Sequence, residues 1–135
     1  LTLLFSLTET AENGLTEPER EANDTTPTVG ELQDAAEIEI WNDMGIGTGN
    51  GGNEDIPFLT DGDDVIASGT LAAVADDPAF ADGGYGLTRD GESCLTIGEA
   101  VYVSFRWAIP TDADNVIQSD SARFTVGFAA RRCRE

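Results

Sequence analysis

Four aspartates, Asp43, Asp55, Asp61 and Asp63, sit in and beside a run that holds five glycines between Asn42 and Asp55. Carboxylate and amide oxygens on Gly-rich turns are hard donors of the kind Ca2+ takes. These four are the candidate metal ligands, with Asn42, Asn53, Glu54 and Asp64 close by. The spacing is not that of an EF-hand loop: Asp61-Gly62-Asp63-Asp64 lacks that loop's glycine and closing glutamate. Without a divalent ion the same residues are an acidic turn bathed in Na+ or K+. Glu17, Glu19 and Asp24 form a weaker second candidate. There is no histidine. That excludes H-E-x-x-H, His-based zinc sites and Ser-His or Cys-His nucleophiles. A carboxylate pair could do acid–base work, but among 26 acids such pairs arise by chance. No enzyme is expected, and no cofactor other than Ca2+.

The acids themselves have a plainer role. Asp and Glu number 26 against seven basic residues, all Arg, for a net charge of −19 in 135 residues. Such a surface repels itself over a Debye length of about 10–30 Å at low salt, which molar salt cuts to about 3 Å. Absent Lys and abundant Asp point to a halophile. The charge argues against nucleic acid, which needs a basic face. The 40% of hydrophobic residues argues for a fold rather than disorder.

The strongest structural signal lies between Cys94 and Cys133. Val101, Val103, Phe105, Trp107 and Ile109 fall at period two, and so do Ala122, Phe124, Val126, Phe128 and Ala130. That alternation predicts two half-buried strands. Run antiparallel as a pair, they bring both cysteines to one end, where a Cys94–Cys133 disulfide closes it. The bridge implies an oxidising location. The alternative is two separate buried thiols. Trp41, Phe105, Trp107, Phe124 and Phe128 are assigned to the core, with a sugar-stacking platform as the alternative. Tyr85, between glycines, is the aromatic placed for exposure.

In chain order, Leu1–Thr8 predicts a strand with Leu1, Leu3, Phe5 and Leu7 on one face, an edge strand or one lying beside something outside the chain. Glu9–Thr28 predicts a long acidic loop. A helical turn is expected at 29–35, capped by Thr28 with Glu31 three residues on. Ala36–Trp41 predicts a strand, with Phe58-Leu59 and Val65–Ala67 as short ones. A helix is expected at about 70–76, ending before Asp77-Pro78, and a Gly-rich loop from Phe80 to Gly91. Asn115, Gln118 and Asp120 are expected to satisfy loop backbone. Asn23-Asp24-Thr25 is a sequon, making Asn23 the candidate glycosylation site. No signal-peptide pattern opens the chain, and Leu1–Leu7 is too short for a membrane span. An exported form would be a processed or shortened one. Short strands, little helix and many Gly/Asp turns predict an all-β protein, a sandwich or jelly roll, with residues 1–135 as one domain.

The order of several motifs resembles the exported haloarchaeal proteins of the TasA/camelysin class. They are Asn13-Gly14-Leu15-Thr16-Glu17-Pro18-Glu19-Arg20-Glu21, Gly30-Glu31-Leu32, Ile38-Glu39-Ile40-Trp41 and Gly69-Thr70-Leu71-Ala72. The ending adds Trp107-x-x-Pro110, Asn115-x-x-Gln118-x-Asp120-Ser121 and Phe124-x-x-x-Phe128-x-Ala130. The resemblance implies a jelly-roll-like β-sandwich, export past a dedicated signal peptidase and life at the cell surface. It also implies assembly into fibres, an N-terminal segment of one subunit adding a strand to its neighbour. Leu1, Leu3, Leu4, Phe5 and Leu7 are then the strand passed between copies or the border of its acceptor. Only Leu1–Thr8 precedes the Asn13 motif, where the family has further strands. The family's metalloprotease name finds no histidine here. The expected function is a subunit of an extracellular filament whose partners are copies of itself. The alternative is a monomeric surface module binding Ca2+ or glycan.

Overall fold

The computed structural model describes residues 1–25, 28–43, 64–89 and 91–133. These residues are mostly β, in two three-stranded antiparallel sheets with a few short helices. One sheet holds β1 (Thr2–Ala11) between β4 (Tyr85–Gly86) and β6 (Ser121–Ala129). The other holds β2 (Glu37–Asn42) between β3 (Asp64–Thr70) and β5 (Val103–Ala108). Leu3 and Phe5 of the first sheet share one core with Ile38, Ile40 and Ile66 of the second. Leu71 and Val74 of α3 (Leu71–Ala75) and Leu87 complete it. The expected Phe58-Leu59 strand lies outside the described residues.

β1 is therefore the central strand of its sheet, not an edge. With a strand on each flank, its Leu3 and Phe5 leave water. Gly84 allows β4 to close against it. With φ at +102°, a Cβ there would collide with the Leu3 carbonyl and the Thr2 and Leu4 side chains. Glycine alone meets both demands.

The long acidic loop is shorter than its composition predicts. β1 runs on to Ala11, and α1 occupies Glu17–Glu21. Thr16-Glu17-Pro18-Glu19 starts that helix: proline fits the first turn, and the Glu19 carboxylate accepts from the Thr16 N–H. The turn at 29–35 narrows to α2, Leu32–Ala35, and Thr28 does not cap it. Its cap is Asp120, whose Oδ2 accepts from the N–H groups of Glu31 at 2.5 Å and Leu32 at 3.1 Å. Thr70 caps α3, accepting from the Ala73 N–H at 3.2 Å. Asp77 starts a stretch of 3-10 turns, Pro78–Gly83, broken by a kink at Ala81 and Asp82, where a loop was expected from Phe80.

β5 and β6 do not pair with each other. β5 pairs with β2, and β6 with β1. The Cys94–Cys133 disulfide, with Cα atoms 6.0 Å apart, joins the segment entering β5 to the segment leaving β6. It therefore links the two sheets instead of closing a hairpin. Its loop spans a sequence separation of 39. Cys94→Ser with Cys133→Ser should lower stability by about 4 kcal/mol on the chain-entropy account. Urea unfolding of both proteins without reductant checks this, and equal midpoints would contradict it.

Candidate functional site

Residues directly opposite in an antiparallel ladder share a face. Trp107 stands opposite Ile38, and Phe105 opposite Ile40. Phe128 stands opposite Leu3, and Val126 opposite Phe5. The four partners Ile38, Ile40, Leu3 and Phe5 are buried. Phe105, Trp107 and Phe128 thus lie on the core faces of their sheets. Yet they are 50%, 64% and 57% exposed. The reason is position. β5 ends one sheet and β6 ends the other, and among the described residues no further strand pairs with either.

The two edges face one another. Phe105 and Phe124 meet edge to face with centroids 6.4 Å apart. Phe124 stacks on Phe5 at 5.4 Å, and Phe5 meets Phe80 at 5.6 Å. Four rings thus run from the core to an open apolar seam between β5 and β6. Exposed Ile109 extends its β5 side, and the disulfide ties the end where β5 begins and β6 finishes. The core assignment of the aromatics is corrected accordingly. Trp41 is buried and Phe124 half-buried, but Phe105, Trp107 and Phe128 are not covered. Tyr85, assigned to solvent, packs against the core instead.

Outside the seam, Arg106 pairs with Glu39 at 3.4 Å and Arg123 with Glu9 at 3.3 Å. Both pairs lie on outer faces and are largely exposed, so each contributes at most about 1 kcal/mol.

A carboxylate group forms where β1 ends. Glu12, Glu19 and Asp120 each place an oxygen within 4.8 Å of the others, as do Glu12, Asp24 and Glu31. Glu19 is fully buried, and the Ser119 hydroxyl lies 3.2 Å from Glu12 and 3.4 Å from Glu19. Hard-oxygen donors so grouped are the chemistry that holds Ca2+. Glu19 and Asp24 belong to the weaker sequence candidate; Glu17 joins neither group. Glu12 and Asp120 were missed because they come from opposite ends of the chain.

Lost hydration, then the neighbouring Asp120 and Glu19 carboxylates, raise Glu12 above the ordinary 4.5. A raised carboxyl pKa favours the fold while the group is protonated. That contribution is complete below the unfolded pKa and is lost as pH rises through the folded one. Glu12→Gln should therefore lose less stability than the parent between about pH 4 and pH 7. Parallel pH-stability curves for the two proteins would contradict it.

Of the first metal candidates, Asp43 is buried. It accepts from the Ser104 hydroxyl at 3.0 Å, and its N–H donates to the Tyr102 carbonyl at 2.9 Å. It ties β2 to β5. Asp55, Asp61 and Asp63 lie outside the described residues. Asn23 is exposed in the turn after α1 at φ +68°, with Thr25 exposed beside it. Leu3 and Phe5 are buried in their own chain's core, Leu1 and Leu7 half-buried, and Leu4 exposed on the opposite face. Among the described residues no helix is long and apolar enough to cross a membrane.

Comparison of the chain with protein-family models, with curated proteins and with solved structures finds no match in any of the three.

Proposed function

We propose that the chain is a structural subunit of an extracellular filament, each copy adding a strand to the open edge of the next. In this reading residues 1–135 form one jelly-roll-like β-sandwich. The observation that carries it is the open seam. Among the described residues no strand pairs with the outer edges of β5 and β6, which flank a gap lined by Phe105, Trp107 and Phe128. An added strand satisfies both the backbone groups and the apolar side chains. The contact is heterologous, so repetition gives an open filament. β1 borders this acceptor through β6, with Leu3 opposite Phe128. The motif resemblance to TasA-like proteins supports the same reading. The disulfide, the acidic surface and the exposed Asn23 sequon fit life outside the cell, with a glycan on Asn23. Sedimentation velocity in molar NaCl tests it: species should grow with protein concentration, and a single monomer boundary throughout would overturn it.

A monomeric surface module is the second reading. Exposed Trp107 and Tyr102 offer faces for sugar rings, and the carboxylates around Glu12 offer oxygens for Ca2+. A monomer at every concentration favours it.

A further inference from the structure

Asn13-Gly14 sits just past the last rung of the β1–β6 ladder, where Ala11 stands opposite Ser121. Both residues of the pair are exposed. The Asn13 side chain reaches across to the segment entering β6. Its Nδ2 donates to the Ser119 carbonyl at 2.6 Å and to the Ser121 hydroxyl at 3.3 Å. The Ser119 hydroxyl in turn lies 2.9 Å from the Gly14 carbonyl. These contacts close the corner where the two strands meet. Position 13 needs an amide to make them, because a carboxylate has no donor to offer a carbonyl.

The same dipeptide is open to spontaneous ring closure. The main-chain nitrogen after an asparagine can attack that asparagine's Cγ, and a glycine there puts no Cβ in the way. Gly14, at φ +105°, has open space where a Cβ would stand, and among the described residues nothing accepts from its N–H. The bond from the Gly14 nitrogen to Cγ forms and the Cγ–Nδ2 bond breaks. The amide leaves as ammonia, taking the Gly14 proton. Water then opens the succinimide at either carbonyl, leaving aspartate or isoaspartate at position 13. We propose that Asn13 is a deamidation site that the closed corner protects and whose conversion opens that corner. Ring closure requires the amide to leave its two acceptors, so the reaction follows the fraction of molecules in which the corner is open. Once formed, the new carboxylate meets the Ser119 carbonyl as acceptor against acceptor. It also stands close to Glu12 and Glu19, which share the Ser119 hydroxyl, and adds a further negative charge to them. Isoaspartate besides lengthens the main chain between β1 and α1 by one atom. The inference does not depend on strand addition.

The test follows the Asn13 peptide by mass spectrometry in the full, disulfide-bonded chain held in mildly alkaline buffer. In molar NaCl its conversion should run at least about tenfold more slowly than in concentrated urea. Ser121→Ala removes one acceptor and should speed the reaction in molar NaCl about threefold while leaving the urea rate unchanged. Circular dichroism establishes that this variant is folded. Asn13→Asp should shift the folding equilibrium about tenfold or more toward the unfolded chain, read as a lower urea midpoint. Should Asn13→Asp not fold at all, wild type aged to partial conversion and separated by charge gives the same comparison. No conversion of Asn13 in urea overturns the site itself. Equal rates in molar NaCl and in urea, or a folded Ser121→Ala that converts like wild type, overturn the protection. An Asn13→Asp protein or converted fraction as stable as wild type overturns the opening of the corner.

Discussion

Trp107→Glu and Phe105→Glu should each give a folded chain that does not assemble. Both side chains are at least half exposed, so the single subunit loses no more than about 1–1.5 kcal/mol of burial at each. In an occupied seam both would be covered. Completing the burial of a half-exposed aromatic is worth roughly 1–1.5 kcal/mol. A carboxylate left there against an apolar strand adds a desolvation cost of at least about 2 kcal/mol. Together these weaken each contact at least about 100-fold. Thermal unfolding should move little, whereas sedimentation should show monomer. A variant that assembles like wild type would show that the seam is not the contact.

Leu3→Asp should do the reverse and abolish the fold. Leu3 is fully buried near the start of β1, opposite Phe128 on one side and Tyr85 on the other. Truncation of a buried leucine costs about 2–5 kcal/mol, and an unpaired buried charge adds several more. That sum approaches the whole stability of a small domain, about 5–15 kcal/mol. Circular dichroism should show a largely unfolded chain at 25 °C. A native spectrum would mean that β1 can leave the core at little cost, as a strand exchanged freely between copies would. Shortening the chain by residues 1–8 should likewise unfold it, because β6 loses most of its ladder.

The strands were legible because their residues alternate. Val103–Ala108, Ser121–Ala129 and Glu37–Asn42 follow directly from period two, and Thr70 marks the start of α3 as a cap should. Pairing was not legible. Alternation says that Trp107 and Phe128 share a side with the core, but not whether anything lies over them. Their exposure depends on which strand ends each sheet, a property of the assembled topology. The adjacency of Val101–Ile109 and Ala122–Ala130 in sequence favoured a hairpin; the fold sends them to different sheets and keeps only the disulfide between them. α1 carried its own signal in Thr16-x-x-Glu19 with Pro18, masked by its acidic surroundings. The Asp120 cap on α2 had none, since the two are 89 residues apart. The Glu12, Glu19 and Asp120 group has the same origin: three acids among 26 that only the fold selects.

Negative-stain microscopy of the intact, disulfide-bonded chain in molar NaCl, beside Trp107→Glu under the same conditions, tests the open seam most directly. Filaments of regular width from the wild type and isolated particles from the variant are the predicted result. Isolated particles from both, at every protein concentration, would contradict it.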